Sequence, residues 1–298
     1  MAMTELRLIE TVHPTKEALQ DFQALMGIDA IKDALVDELT LILDRDRLDA
    51  WSRKHHPGGL GILKRARSKA PLILLAGDVG CGKSALASCV ATPVARTIDH
   101  RIVCVETPSD IRGGGLVGEL SANITDAFAQ TKAKAEQIGR GILVLDEADD
   151  LATRRGQMQA HQEDRAGVNV LIKQIDQIAK AKAPIAVIMI TNRADVLDPA
   201  VVRRAALRLD FHRPDDAARN AIFGRILEGT GATDEQIREL VKLTAKSPPY
   251  TFSDLTDRIA RLALRQAWKA NEPFGIATLK AAIAIVEPSP LMETVLTP

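Results

Sequence analysis

The chain has 298 residues, of which 46% are hydrophobic and only 3% aromatic, and its formal net charge is zero. This length allows about two domains with a mainly aliphatic core, and the neutral charge argues against nucleic acid as the main partner, because proteins that bind it usually carry a basic surplus. The sequence has neither a signal-peptide pattern nor an apolar run of membrane-spanning length, and its three cysteines lack metal-ligand spacing. We therefore expect a reduced, cytoplasmic protein without a membrane partner.

Helical periodicity opens the chain and is followed by an alternation of strands and helices. Between residues 15 and 44, apolar side chains recur every three or four positions, as on one face of a helix. Five short apolar runs then predict strands at residues 72–76, 102–105, 142–145, 185–190 and 207–211. Because the runs are continuously apolar, both faces of each strand should be covered. Their alternation with helices predicts an α/β fold with a parallel five-stranded sheet flanked by helices.

The sequence changes character after Pro214. Three helical patterns follow, at residues 216–227, 234–244 and 254–268, and each begins near an Asp, as helices commonly do. We predict two domains: a large α/β domain at residues 1–213, with a short N-terminal helical linker, and a small helical lid domain at residues 214–298.

A glycine-rich loop follows the first predicted strand. Residues 77–84 read GDVGCGKS and fit the pattern G-x-x-x-x-G-K-[ST], in the strand-to-helix context that this motif requires. Glycines let successive backbone N–H groups turn toward one anion, and Lys83 can neutralise the outer phosphates of ATP while the Ser84 hydroxyl ligates Mg²⁺. A glycine-rich turn without a ligand is the alternative. The predicted ATP contacts of this loop are Gly77, Asp78, Val79, Gly80, Cys81, Gly82, Lys83, Ser84 and Ala85.

Two further predicted strands end in polar side chains. The run at 142–145 is followed by Asp146 and Glu147, and we expect Asp146 to hold Mg²⁺ through water while Glu147 polarises the attacking water. The run at 185–190 continues into Thr191 and Asn192, whose amide can bind the terminal phosphate or position the water. An acidic helix cap and a turn-forming Asn would explain these residues in isolation. Beside a phosphate loop, the catalytic interpretation is favoured.

With these motifs the sequence resembles the AAA+ ATPases over nearly its whole length. FQALMGIDAIKDAL at 22–35 is similar to the family's N-terminal segment, which implies that Gly27 and Ile28 lie against adenine. TNRADVLDPAVVRR at 191–204 matches the sensor-1 segment and implies that Asn192 is the sensor.

The family also implies a second sensor, an arginine early in the third lid helix. Leu255 stands at the expected position, and Arg258, one turn later, is the candidate ATP contact. An exposed helix arginine is the alternative.

Two segments carry a narrower resemblance, to the pachytene-checkpoint subfamily that remodels HORMA-domain proteins. They are VNVLIKQIDQI at 168–178 and VVRRAALRLDFHRP at 201–214. In this subfamily a catalytic arginine lies ten residues before the proline that opens the lid, which implies Arg204. A general family alignment implies Arg203. The resemblance is to compact bacterial members associated with CBASS antiphage signalling, and it implies a homo-hexamer whose arginine reaches the neighbouring subunit's ATP, with a HORMA-domain protein as client.

A second glycine-rich segment reads PSDIRGGGLVG at 108–118. In AAA+ unfoldases the matching position is usually aromatic and grips a peptide in the central pore, whereas this chain has Leu116. The resemblance implies a substrate-contacting pore loop at Gly115, Leu116 and Val117. A flexible surface loop whose apolar residues tuck into the body is the alternative.

The leading hypothesis is an ATP-hydrolysing hexamer that partly unfolds HORMA-domain complexes by engaging them with pore loops. A nucleic-acid loader or initiator ATPase and a metabolic activase of the same fold are the alternatives. A non-hydrolysing nucleotide-gated scaffold conflicts with the intact pair of Asp146 and Glu147.

Overall fold

A computed structural model of the chain describes residues 6–63, 69–108, 111, 118–151, 162–178, 180–181 and 183–291. The predicted substrate loop at Gly115, Leu116 and Val117 lies outside these residues. The chain forms two compact units, the first made of Met1–Phe22, Ala30–Ala76 and Ser84–Asp210, and the second of Gln23–Asp29, Gly77–Lys83 and Phe211–Pro298. Two short segments of the predicted large domain, 23–29 and 77–83, thus cluster with the helical part of the chain.

The first unit is built on a sheet of six strands: β1 (Ile9–His13), β2 (Leu72–Gly77), β3 (Ile102–Glu106), β4 (Gly141–Leu145), β5 (Ile185–Thr191) and β6 (Leu207–Phe211). They lie in the order β1-β3-β4-β5-β2-β6. Strands β2, β3, β4 and β5 pair in parallel, whereas β1 runs antiparallel to β3 at the edge. The predicted α/β fold is confirmed, but the sheet has six strands rather than the predicted five, because β1 adds an antiparallel strand at the edge. Its sequence IETVH is partly exposed and therefore lacks the continuous apolar run of the inner strands.

Helices cover the inner strands, whose side chains are buried almost throughout. Leu120 and Phe128 are buried on the helix Glu119–Ile138, and Leu171 and Ile175 are buried on the helix Gln162–Ile178. Each pair lies on a single helix face, and both pairs share one core with the central strands. The helices of this unit are α1 (Lys16–Ala24), α2 (Asp29–Leu43), α3 (Arg45–His55), α4 (Lys83–Cys89), α5 (Ala91–Ile98), α6 (Glu119–Ile138), α7 (Ala148–Leu151), α8 (Gln162–Ile178) and α9 (Pro199–Val202).

The second unit has its own core around Phe223, Leu240, Tyr250 and Leu279. The single helix predicted at 254–268 is a π-helical stretch, Asp254–Ala260, that continues into an α-helix, and a further helix follows it. The α-helices are α10 (Asp216–Ile226), α11 (Asp234–Leu243), α12 (Arg261–Ala270) and α13 (Ile276–Ile285). Among the described residues, no helix combines the length and the apolar character needed to cross a membrane.

Candidate nucleotide-binding and hydrolysis site

Three strands that carry the predicted site motifs lie side by side in the order β4-β5-β2. They are parallel and in register, since Leu145 of β4 pairs with Met189 of β5, and Ala76 of β2 pairs with Thr191 of β5. Their carboxyl ends therefore lie at one edge of the sheet, where open α/β sheets bind their ligands. The glycine-rich loop, the acidic pair and Asn192 all leave the sheet at this edge.

The glycine-rich loop has a backbone that other residues would adopt only with strain. Gly77, Gly80 and Gly82 have φ values of 144°, 75° and 92°. A Cβ on Gly77 would lie 2.2 Å from the carbonyl oxygen of Phe211, and one on Gly80 would lie 2.9 Å from Thr251 Oγ1. A Cβ on Gly82 would meet no atom within 4 Å, so only the positive φ favours glycine at that position. The first two glycines thus explain why residues 77–83 pack with the second unit.

Lys83 holds the loop in shape. Its ammonium group donates hydrogen bonds to the carbonyl oxygens of Gly77 (2.9 Å) and Asp78 (2.7 Å), and the residue is only 5% exposed. The positive charge therefore sits against the loop backbone, and its contact with phosphate stays a prediction. Cys81 is buried in the same loop, and burial raises the pKa of its thiol to about 11.

Ser84 and Asp146 bring two oxygen ligands together. The Ser84 hydroxyl donates to Asp146 Oδ2 at 2.7 Å, and the other carboxylate oxygen of Asp146 accepts the backbone N–H of Glu147 at 2.7 Å. Hydroxyl and carboxylate oxygens suit Mg²⁺, which is commonly held by one or two protein oxygens together with phosphate and water. Within the described ranges, no group of three or more His, Cys, Asp or Glu side chains is placed to hold a metal by itself.

Glu106 adds a further negative group near this pair. It lies at the end of β3, where burial raises the pKa of its carboxyl group and the charge of Asp146 raises it further.

Glu147 occupies an unusual backbone position. Its φ of 53° lies in the left-handed region, which costs a non-glycine residue about 1–2 kcal/mol. The residue is exposed, directly after β4 and before α7. Strain of this kind concentrates at functional sites, and an accessible carboxylate at this edge fits the predicted contact with the attacking water.

The end of β5 is tied to α7 by Asp149, a residue that the sequence analysis did not select. Asp149 Oδ1 accepts hydrogen bonds from the Thr191 hydroxyl (3.0 Å) and the Asn192 backbone N–H (3.4 Å). The Thr191 hydroxyl oxygen also accepts the N–H of Arg193 at 2.9 Å. Asp149 is the third acidic residue of the DEADD run that begins at Asp146. Its place in that run is the sequence feature that could have identified it.

Arg204 is fixed by a bidentate ion pair. Its Nε and Nη2 atoms lie 2.9 and 3.1 Å from the two carboxylate oxygens of Asp176, and its Nη1 donates to the Ala200 carbonyl at 2.9 Å. The hydrogen bond to Asp176 raises the pKa of Arg204. Arg203 is exposed at the end of α9. Asp176 lies in the VNVLIKQIDQI segment, and its role was not foreseen.

The remaining predicted contacts lie in the second unit. Gly27 has a φ of 72°, and a Cβ there would lie 2.6 Å from Ala218 Cβ, while Ile28 beside it is buried. Arg258 donates to Asp254, to the Glu287 carbonyl and to Ser289 Oγ. Its guanidinium thus supports the segment after α13, and its contact with ATP stays a prediction, as do those of Gly27 and Ile28.

The fold and these groups together define a class of protein. A phosphate loop after one strand of a parallel sheet, an acidic pair after a second and an amide after a third are the parts of a nucleotide-binding P-loop ATPase.

Known proteins place the chain within that class. The family model described as ATPase family associated with various cellular activities (AAA) matches residues 73–213. The chain is 38% identical over 285 residues to CD-NTase-associated protein 6 of Escherichia coli strain MS 115-1, covering 92% of this chain and 90% of that protein. This chain belongs to the AAA family of ATPases.

Two solved structures resemble it closely. A chain in the structure of the E. coli MS115-1 HORMA:CdnC:Trip13 complex superimposes with a TM-score of 0.89 and 36% identity, covering 97% of this chain and 98% of that one. The structure of Rhizobiales Trip13 gives a TM-score of 0.74 and 35% identity, covering 94% and 98%. The broad and the narrower resemblance predicted from the sequence are both confirmed.

Proposed function

We propose that this chain is an ATP-driven remodeller of a HORMA-domain protein, that it acts as a homo-hexamer in the cytoplasm, and that it regulates CBASS antiphage signalling. The observation that carries the proposal is the similarity, at 36% identity and nearly full coverage, to a chain in a HORMA:CdnC:Trip13 complex. The side chains needed for hydrolysis are present in this chain, so a role as a scaffold that only binds nucleotide is disfavoured.

In this proposal the loop at 77–85 cradles the phosphates of ATP. Its backbone N–H groups and the Lys83 ammonium provide positive potential, and its glycines leave room for the anion. Ser84 and Asp146, already joined by a 2.7 Å hydrogen bond, would hold Mg²⁺, which supplies further positive charge to the phosphates when bound.

Hydrolysis requires a positioned water and stabilisation of charge. Glu147 accepts a proton from the attacking water, and the Asn192 amide orients that water or binds the terminal phosphate. Asp149 fixes the backbone of Asn192 through the contacts described above.

Arg204 completes the site of a neighbouring subunit. Its hydrogen bonds to Asp176 and Ala200 engage three of its N–H groups. A guanidinium has about five such donors, so about two more could bind a phosphate. A guanidinium supplied in trans is worth about 10³–10⁵ in rate where it has been measured. Arg203 is the second candidate for this role. Gly115, Leu116 and Val117 would then contact the client polypeptide.

The test compares ATP hydrolysis by the parent chain and Glu147→Gln, with Glu136→Gln as a matched control because Glu136 is an exposed carboxylate of α6. Phosphate release is measured alone, with a HORMA-domain protein such as that of the E. coli MS115-1 complex, and with duplex DNA. Particle mass is measured with and without ATP.

We expect the HORMA-domain protein, and not DNA, to stimulate the parent and Glu136→Gln. Glu147→Gln should bind ATP and client without releasing phosphate. Stimulation by DNA alone would favour the loader hypothesis. A parent that stays monomeric with ATP, or a Glu147→Gln variant with the parent's rate, would overturn the proposal.

A further inference from the structure

A buried arginine just before the second unit's first helix contacts the phosphate loop. The side chain of Arg213 is only 6% exposed and that of Asp78 16%. Arg213 Nε donates to Asp78 Oδ2 at 2.7 Å, and Nη2 contacts the same oxygen. Local sequence patterns do not reveal this pair, because its members are 135 positions apart in the chain.

Three backbone carbonyls complete the surroundings of the guanidinium. Nη1 donates to the oxygens of Pro249 (2.5 Å) and Ser289 (2.7 Å), and Nη2 donates to that of Pro290 (2.8 Å). A buried charge is costly unless it is paired and hydrogen-bonded. Arg213 meets both conditions, with Asp78 as its charged partner.

Asp78 accepts further hydrogen bonds through its side chain and its backbone. Its second carboxylate oxygen accepts the N–H of Val79 at 3.0 Å, and its backbone carbonyl accepts the Lys83 ammonium at 2.7 Å. The residue that begins the turn of the phosphate loop is therefore fixed by Arg213 through its side chain and by Lys83 through its backbone.

The segment after α13 supports this arrangement. Ser289 donates its N–H and its hydroxyl to Asp254, and Arg258 donates to Ser289 Oγ. These bonds fix the Ser289 and Pro290 carbonyls that Arg213 requires. The segment that contains Ser289 and Pro290 thus helps to hold Arg213 against the phosphate loop.

The negative charge of Asp78 connects the ion pair to nucleotide binding. A carboxylate in a loop that receives a triphosphate would repel its ligand, and the repulsion between buried or half-buried charges is poorly screened by salt. We propose that Arg213 is a positioning residue for the nucleotide, which cancels the charge of Asp78 and fixes the phosphate loop in its binding shape. This inference rests on the proposed binding of ATP by the loop.

The experiment uses full-length chains and measures both the Kd of a fluorescent ATP analogue and the kcat and KM of ATP hydrolysis. Arg213→Met removes the charge while keeping a side chain of similar length. Asp78→Asn removes the opposing charge, and the double variant removes both. Arg208→Met is the matched control, because Arg208 forms an ion pair of the same kind with Asp210 in which both side chains are nearly half exposed.

We expect Arg213→Met to raise Kd and KM by about tenfold or more with a smaller change in kcat, since a tenfold loss corresponds to about one charge-assisted hydrogen bond. Adding Asp78→Asn should bring Kd back to within about threefold of Asp78→Asn alone. A purely structural role predicts the opposite, because the second change removes another hydrogen bond and should weaken binding further. Arg208→Met should bind as the parent does.

Arg213→Lys keeps the test decisive if the methionine variant fails to fold. Lysine preserves the charge and loses the forked geometry, so its Kd should stay closer to the parent's than that of any neutral variant. A Kd within twofold of the parent for Arg213→Met, or a double variant as weak as Arg213→Met, would overturn the inference. A parent chain that binds no ATP would instead overturn the proposed function.

Discussion

Replacement of Asp149 with alanine tests whether this residue positions the predicted sensor. The change removes the acceptor of the Thr191 hydroxyl at 3.0 Å and of the Asn192 N–H at 3.4 Å. Hydrogen bonds to a charged group contribute about 1.5–3 kcal/mol each, and we take the lower value for both because the site is half-buried and the second contact is long. If most of this energy holds Asn192 in place, kcat should fall by about 10–100-fold, at about 1.4 kcal/mol per factor of ten.

The assay is steady-state ATP hydrolysis together with the affinity for a fluorescent ATP analogue. Affinity and KM should change little, because the two hydrogen bonds that the variant loses go to the backbone of the predicted sensor and to the adjacent threonine. The control is Asp195→Asn, a carboxylate of the same segment whose distance to the Arg193 guanidinium is 3.9 Å, and it should behave as the parent does.

A double-variant cycle separates positioning from general damage. If Asp149 acts through Asn192, Asp149→Ala should reduce kcat far less in the Asn192→Ala background than in the parent. A kcat within twofold of the parent for Asp149→Ala, or additive losses in the double variant, would refute the reasoning.

Three more predictions concern other sites. Arg204→Ala should lower phosphate release more than Arg203→Ala, and a mixture of Arg204→Ala and Glu147→Gln subunits should recover hydrolysis if the arginine acts in trans; a mixture as inactive as its parts would contradict this. Because burial raises the pKa of Cys81 to about 11, its alkylation by iodoacetamide at pH 8 should be much slower in the folded chain than in urea, and equal rates would contradict its burial. Burial alone would raise the pKa of Asp254, but hydrogen bonds from Thr251 and other groups lower it to about 2, so stability should fall as the pH drops from about 4 to 2, and unfolding curves of Asp254→Asn should lose part of that dependence.

The sequence was most informative where signals are local. Residues 77–84 carry their own turn chemistry, and the apolar runs of β2, β4 and β5 identify buried strands because both faces are covered. The edge strand β1 gave no such signal, since its outer residues face solvent.

Contacts between distant residues could not be read from local patterns. Asp176 and Arg204 are 28 positions apart and Asp78 and Arg213 are 135 apart, and each pair forms only after the fold brings its members together. Asp149 is an intermediate case, because it adjoins the predicted acids and its partner on β5 follows from the strand order.

The ion pair of Arg204 with Asp176 has a consequence for the proposed association of subunits. An arginine side chain that is free to rotate loses about 2 kcal/mol of conformational entropy when a partner immobilises it. In this chain Asp176 and the Ala200 carbonyl already restrict those rotations within one subunit. In the proposed hexamer, a neighbouring subunit would therefore meet a guanidinium whose rotations are already restricted. Loss of Asp176 should then raise the protein concentration at which subunits associate and lower the rate of ATP hydrolysis.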